Sequence, residues 1–472
     1  MKEIVLTTIN AKWIHPSLAL RLLKANLASL ENNCEIIEFA LRQPLAEKLE
    51  TLLAARPRIL GMSVSIWNHT AALQLLEELE KVWDAAKPVV VLGGPEASHL
   101  PPEAEIFKYA DYVIRGEGEI AFRKLCENIL KDGQPPAPGA AKFIDAENVD
   151  VAKIKSAYHL YADEGLSPAS MKQASLKQTF FAKKLIYVEA SRGCPYNCEF
   201  CLSAATSAVR EFPLEPFLEQ MEQLIRLGVK TFKFLDRSFN ININRAVRIC
   251  EFFLEKIKER ESPLVVHFEM VPSLFPPELL EVLSRFPPGS LRLEIGIQTL
   301  NAEVSSRISR PSNPEKELET LRCLCEKTNA IIHADLIAGL PGEDFASFGK
   351  GFDLLRTALN DSKNEIQPGI LKLLPGAIIS RHNENFAMKY NPAPPYEIEK
   401  TSAMSADDLG RIKNFARFWE IIVNRKLFSF NGEKQIFDNF MALSDSLFIH
   451  FGRNWGIDKQ ELLEAVKDRV GL

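Results

Sequence analysis

The sequence predicts an α/β chain in three parts: a doubly wound, Rossmann-like domain over residues 1–130, a partial (β/α)6 barrel over 185–376 reached through a linker at 131–184, and a small helical domain over 377–472. Three observations carry this prediction. Short apolar runs alternate with helical periodicity as far as about Leu130, the alternation resumes for six rounds from Leu185, and beyond Asn391 only helical stripes remain.

In the first domain the strands read Glu3 to Thr8, Ile59 to Val64, Val89 to Leu92 and Tyr112 to Ile114. These are near-continuous apolar runs of the kind that a parallel sheet buries on both faces. Leu20, Leu23, Leu27 and Leu30 mark one helix face, and Ala72, Leu76, Leu79 and Trp83 another. Ligands of such sheets bind beyond the carboxyl ends of the strands. Those ends read NAKWIHPSLAL from Asn10, GMSVSIWN from Gly61, GGPEAS from Gly93 and GEGE from Gly116. Their glycines let backbone amides approach a ligand closely, although any one of the segments also suits an ordinary tight turn.

DGQPPAPGAA from Asp132 is a Pro- and Gly-rich linker. Ile154 to Leu166 reads as a short helix, whose Tyr158, His159 and Tyr161 suit either a cavity wall or an amphipathic surface. Barrel strands begin near Leu185, Thr231, Val265, Leu291, Ile332 and Gly369, each with room after it for one helix. Chemistry on a β/α barrel collects at the carboxyl ends of the strands. Those ends carry Asp236, Ser238 and Asn240, then Glu294, Gln298 and Asn301, then DLIAGLPGED from Asp335 and LKLLPG from Leu371. A carboxylate in a strand, as at Glu269 or Glu294, needs a partner or a ligand. Glu343 is expected outside, at a turn or helix start. In the tail, beyond NPAPPY at Asn391, Phe415, Phe418, Trp419 and Ile422 recur at helical spacing, as do Ile436, Phe440, Leu443 and Leu447. Both stripes read as core, with Tyr396 and Trp419 as the candidates to reach a cavity.

The composition is that of an ordinary globular protein, 46% hydrophobic and 25% charged, and the net charge of -5 offers no whole-chain attraction to nucleic acid or anionic lipid. No apolar run approaches the roughly 18 residues that span a bilayer, and the N-terminal MKEIVLTTINAKW lacks the apolar region of a secretory signal. A cytoplasmic protein with neither membrane nor nucleic-acid partners is expected. Cys34, Cys126 and Cys250 are isolated, and Cys323 and Cys325 sit two apart on a helix, facing different sides, so reduced thiols fit better than a disulfide framework.

The remaining cysteines, Cys194, Cys198 and Cys201, form a C-x3-C-x2-C array within EASRGCPYNCEFCLSA. Thiolates are soft ligands suited to iron–sulfur clusters, zinc and copper(I). A closed zinc site takes four ligands, usually from two pairs, and no second Cys or His pair occurs at such spacing. Three thiolates leave a cubane cluster with one open iron. The array, with Gly193 before its first cysteine and Phe200 before its last, resembles the signature of the radical S-adenosylmethionine (SAM) superfamily. That resemblance implies a [4Fe-4S] cluster on Cys194, Cys198 and Cys201, with SAM on the open iron. It also implies SAM contacts from Phe200, Asp236, Ser238, Glu294, Gln298, Ile337 and Gly339.

The first domain, directly upstream, resembles the cobalamin-binding domain of one radical SAM class. The resemblance implies cobalamin contacts from Asn10, His15, Ser17, Ser63, Ser65, Trp67, Asn68, Gly93, Gly94, Pro95, Gly116 and Glu117. The D-x-H-x-x-G motif, whose His ligates cobalt in mutases and methionine synthase, does not occur here. His15 precedes Pro16 at the wrong spacing and is expected to pack or to touch the cobalamin tail. The domain order and the tail after PPYE resemble a DUF4080-like subfamily with its own C-terminal domain.

By this likeness the protein is a methyltransferase acting on an unactivated carbon of a small-molecule or peptide substrate. One SAM yields a 5'-deoxyadenosyl radical that takes a hydrogen, methylcobalamin gives the methyl group, and a second SAM remethylates cob(I)alamin. A flavodoxin- or ferredoxin-type donor supplies the electron, and Tyr196 borders both cofactors. The alternatives are cobalamin-dependent cyclisation or rearrangement, methylthiolation and a non-catalytic cobalamin or redox sensor. Methylthiotransferases keep three further cysteines in their first domain, where this chain has only Cys34 and Cys126.

Overall fold

The computed structural model describes residues 2–83, 87–132, 142–163, 180–205, 208–260, 263–359, 363–428 and 435–470. Two compact units divide the chain: Met1–Ser191 with Arg210–Lys233, and Arg192–Val209 with Phe234–Leu472.

The first unit holds six parallel strands, β1 (Ile4–Asn10), β2 (Cys34–Ala40), β3 (Ile59–Ser63), β4 (Val89–Gly93), β5 (Tyr112–Arg115) and β6 (Phe143–Asp145), in the order β2-β1-β3-β4-β5-β6. Successive residues feed two cores. Val5, Ile9, Leu60, Met62, Val90 and Leu92 pack on one face with the helix His69–Val82, while Ile4, Leu6, Ile59, Val91 and Ile114 pack on the other with Leu20, Phe122 and Leu125. Both faces are therefore dry, which is why these strands read as unbroken apolar runs.

Two strands escape that reading. β2 is an edge strand whose run is broken by Glu35 and Glu38, and β6 comes from the stretch expected as linker. The helix over the first leucine stripe stops at Ala25, so Leu27 and Leu30 fall in or beside a 3-10 segment. Asn26 ends it: its Nδ2 donates to the oxygens of Leu22 (2.8 Å) and Lys155 (2.9 Å), and Ala28 then turns left-handed at φ 52°. Most of the Pro- and Gly-rich linker, and Glu164 to Leu166 of the expected helix, lie outside the described residues. Its described part forms a 3-10 turn at Tyr158–Asp163, with Tyr158 and Tyr161 buried and His159 against Glu31 (3.0 Å).

The barrel strands are β7 (Leu185–Val188), β10 (Thr231–Phe234), β11 (Val265–Met270), β12 (Leu291–Gln298), β13 (Ile331–Ala338) and β14 (Glu365–Ile370), with the two-residue strands β8 (Ser191–Arg192) and β9 (Arg210–Glu211) between the first two. Within the second unit the order β14-β13-β12-β11 puts each strand parallel beside its predecessor. β7 belongs to the first unit and β11 to β14 to the second. In the second unit Val266, Phe268, Leu291, Leu293, Ile295, Ile332, Ala334 and Leu336 are buried. The alternate positions, among them His267, Glu269, Glu294, His333, Asp335 and Glu365, form a polar, half-buried face. The last strand starts at Glu365, four residues before the expected Gly369. Pro368 is tolerated inside it because β14 is a sheet edge.

The tail forms helices Ala406–Trp419, Ile436–Phe451 and Lys459–Val470, the first opened by a capping box of Ser405 with Asp408. Both aromatic stripes are core, as expected. Phe352, on the helix after β13, meets Phe415 (5.0 Å) and Trp419 (4.8 Å) edge-on, and Trp419 is 1% exposed. Tyr396 is half-buried.

Candidate active site

The cysteine loop follows β7. Cys198 is buried, Cys194 and Cys201 are half-buried, and the amide of Cys201 donates to the oxygen of Cys198 (3.0 Å). Two side chains from later strand ends meet the sulfurs. Ser238 Oγ, after β10, is 3.5 Å from Cys194 Sγ, and Arg310 Nη1, after β12, is 3.5 Å from Cys198 Sγ. The other end of the Arg310 guanidinium donates to the Gly296 oxygen. Burial pushes the Cys198 thiol up and Arg310 draws it down, while Cys201 and Cys194 are near enough to push it up as well. Arg310 was not legible in the sequence, because an arginine in ISRPSN has no pattern of its own.

The expected SAM residues lie at neighbouring strand ends. Asp236 and Ser238 are buried after β10. Asn240 is a clasp: its amide donates to the oxygens of Val271 (3.0 Å) and Leu274 (2.6 Å) and accepts from the amide of Val271 (2.8 Å). Glu294 lies 3.1 Å from His267 Nε2, and Glu269 3.7 Å from Arg237, so both strand carboxylates have partners. Gln298 takes a left-handed φ of 70° past an irregularity in β12, and its Nε2 lies 2.3 Å from where a Cβ on Gly296 would stand. Gly296 and Gln298 thus form one unit, the glycine leaving room for the amide.

Ile337 and Phe200 are half-buried. Gly339 has φ 88° and is pressed on one side by Ile398, whose Cγ2 would be 2.6 Å from a Cβ. Glu343 sits at the start of the helix Phe345–Ala358, as expected, and is 2% exposed. Its carboxyl accepts from Thr299 Oγ1 (2.5 Å), tying the segment after β13 to the end of β12. Burial pushes it up to about 7. A cavity of about 650 Å3 opens beside the loop, lined among others by Tyr196, Ser273, Arg310, Ser312 and Lys316.

In the first unit the order β2-β1-β3 makes the carboxyl ends of β1 and β3 the switch point of the sheet, the usual crevice of such folds. Asn10 and Ser17 flank β1 and share one half-buried carboxylate: Glu38 accepts from Asn10 Nδ2 (2.9 Å), the Ser17 amide (2.6 Å) and Arg21 (2.7 Å). Asn68 is a second clasp, bonded to Thr8 Oγ1 (3.1 Å), the Ile9 oxygen (3.1 Å) and the Ser65 amide (2.8 Å). Glu117 is held by Arg210 (2.9 Å) and the Val149 amide (2.8 Å). These four therefore shape the strand-end loops.

His15 meets the Tyr187 hydroxyl (3.1 Å); burial, with Lys12, Lys233 and Lys184, holds it below its ordinary value and hence neutral. Ser63, Gly93 and Gly94 are half-buried, Ser65 is buried, and Pro95, Gly116 and Trp67 are exposed, Trp67 by 57%. Gly94, at φ 97°, admits no side chain, since a Cβ would stand 2.6 Å from the Val64 oxygen. The strand ends thus carry small residues beside the exposed Trp67, while Trp13, 52% exposed, has Lys184 over its ring (4.3 Å).

Among the described residues no three His, Cys, Asp or Glu side chains converge on a point where a single metal ion would be held. A cubane makes a different demand, because each cysteine takes a separate iron, and three thiols on one loop with an adjoining cavity suit that demand.

Fold and site together describe two classes of unit in one chain, a β/α barrel with a three-thiol loop and a doubly wound domain with small residues at its strand ends. Comparison with known proteins gives each its family: residues 188–355 match the radical SAM superfamily and residues 4–126 the B12 binding domain. The chain therefore carries a radical SAM domain and a B12-binding domain, whose cofactors are a [4Fe-4S] cluster with SAM and cobalamin.

It is 26% identical over 337 residues to the cobalamin-dependent radical SAM methyltransferase TokK of Streptomyces tokunonensis, covering 68% of this chain and 48% of that protein. It is also 26% identical over 343 residues to the 2-(S-pantetheinyl)-carbapenam-3-carboxylate methyltransferase of Streptantibioticus cattleyicolor, covering 69% and 48%. The chain thus spans about half the length of these curated relatives. Among solved structures, the cobalamin-dependent S-adenosylmethionine radical enzyme OxsB shares its fold with a TM-score of 0.63 at 14% identity, over 99% of this chain and 75% of that one. No helix among the described residues is long and apolar enough to cross a membrane.

Proposed function

We propose that the chain is a methyltransferase acting on an unactivated carbon of a small-molecule or peptide substrate, and that Cys194, Cys198 and Cys201 hold its cluster. The observation that carries this is the approach of Ser238 and Arg310 to two sulfurs of one loop, beside a cavity large enough for a cofactor. When bound, the cofactors supply a hydrogen-abstracting radical and a methyl donor able to reach a carbon that is not a nucleophile.

The protein's own part is to bind and orient. Asp236, Ser238, Glu294 and Gln298 face the methionyl and ribose parts of SAM, Ile337 and Gly339 its adenine, and Phe200 packs beside the loop. Ser63, Ser65, Trp67, Gly93, Gly94, Pro95 and Gly116 form the corrinoid platform, with Asn10, Ser17, Asn68 and Glu117 holding its loops and the neutral His15 at its edge. The methyltransferase names of the two curated relatives support the reaction type. A flavodoxin- or ferredoxin-type protein is the electron donor, and the tail is a domain of the DUF4080-like kind.

Anaerobic reconstitution with iron, sulfide and hydroxocobalamin, followed by spectra and a SAM-cleavage assay, tests this. Wild type should bind both metals and cleave SAM, and Cys198→Ala should not cleave it. Failure of wild type to take up cobalamin sinks the methyltransferase reading, and a product lacking the added mass of a methyl group replaces it with cyclisation or rearrangement.

A further inference from the structure

Glu199 stands inside the cysteine array and is bonded through both its backbone and its side chain. Its amide donates to the Ile308 oxygen (3.2 Å), and its own oxygen accepts from the Ile379 amide (3.0 Å). Its carboxylate, 3% exposed, accepts from Arg381 through Nε (2.9 Å) and Nη2 (2.6 Å) and from Ser309 Oγ (2.5 Å), with His382 Nε2 at 2.9 Å. A bidentate arginine–carboxylate pair fixes direction as well as distance. Burying a carboxylate is costly, and an apolar side chain would fill the same space without that cost. What the carboxylate adds is geometry.

The partners come from two places far away in sequence. Ser309 precedes Arg310, the residue on Cys198. Arg381 and His382 end the short 3-10 segment Ile378–His382, which lies beyond the last β/α unit. The loop is therefore clamped from the β12 side and from the start of the tail, at the residue next to Cys198.

We propose that Glu199 is the positioning residue of the cluster loop, and that Arg381, His382 and Ser309 set its orientation, which makes the chain from Ile378 part of the cluster site. This rests on the three cysteines holding the cluster. Removing partners that orient metal ligands weakens metal binding about 10-fold or more.

The test uses the full chain as wild type, Glu199→Ala, Glu199→Gln, Glu199→Asp and Arg381→Met. Each is reconstituted with iron and sulfide, and the half-time of cluster loss to a chelator is measured well below the melting temperature of each apoprotein. Glu199→Ala should lose its cluster about 10-fold faster than wild type. Glu199→Gln and Arg381→Met should lie between the two, and Glu199→Asp should recover part of the loss.

Equal half-times in wild type, Glu199→Gln and Arg381→Met overturn the proposal, as does a loss that only follows a fall in apoprotein melting temperature. Should Glu199→Ala not fold, Arg381→Met decides, because that side chain is 57% exposed. Wild type that takes up no iron refutes the cluster assignment and this proposal with it, whereas stable clusters in every variant refute the positioning role alone.

Discussion

Arg21→Met should be among the costliest substitutions in the first unit, and the magnitude follows from what it leaves behind. Arg21 and Glu38 form a pair 2.7 Å apart with side chains 3% and 16% exposed. Arg21 also donates to the Ser17 oxygen (2.7 Å) and lies over the Tyr161 ring (4.7 Å). Burial pushes the Glu38 carboxyl up, but Arg21, the Ser17 amide and Asn10 outweigh it and hold the group below its ordinary value of 4.5.

Methionine fills the space and leaves the half-buried carboxylate without its cation, a change that costs roughly 3–5 kcal/mol when one partner of a buried pair is removed. Urea denaturation of the full chain at neutral pH should show that loss. Adding Glu38→Gln to Arg21→Met should restore at least half of it, because no unpaired charge then remains. The pH dependence has a definite sign. Stability from Glu38 is fully present above 4.5 and is lost as pH falls through the depressed folded value, so Arg21→Met should blunt acid sensitivity in that window. A cost below about 1 kcal/mol, the size of an exposed pair, would refute the reasoning.

Three further outcomes are expected. Glu343 titrates at about 7 in the folded chain against an ordinary 4.5, so between those values the unfolded chain gives up a proton that the folded chain keeps. Stability should fall by roughly 3 kcal/mol as pH rises through that window, and denaturation of Glu343→Gln across it should show the slope removed. Gly94→Ala should cost about 1–3 kcal/mol in urea denaturation and weaken cobalamin binding, since the new Cβ meets backbone at φ 97°. Trp67→Ser should leave stability within about 0.5 kcal/mol but lower corrinoid affinity in a spectroscopic titration; unchanged affinity removes Trp67 from the platform.

Much of the barrel was readable because its signal is local. Strands buried on one face carry alternating apolar residues whatever surrounds them, and five of the six barrel strands begin within one residue of where the pattern places them. β2 was not readable, since Glu35 and Glu38 interrupt an edge strand, and neither was β6, with three residues in a stretch that reads as linker. At the site, the cysteine spacing and the polar strand end at Gln298 were legible. Arg310 and Glu199 were not, because their partners lie 112 and up to 183 residues away.

By itself the sequence determined the order of the parts, the cofactor class and the three thiols, each of which is written in spacing over a few residues. Tertiary structure alone decided which polar residues shape loops and which remain for ligands. Asn10, Ser17, Asn68 and Glu117 look alike in sequence as candidate cobalamin contacts, yet all four are already engaged in hydrogen bonds. Glu343, at the helix start where the sequence puts it, is buried against Thr299, which no local pattern announces. The physical reason is common to all of them. A polar side chain's role depends on whether folding brings it a partner before a ligand arrives, and that partner is set by packing between segments distant in the chain.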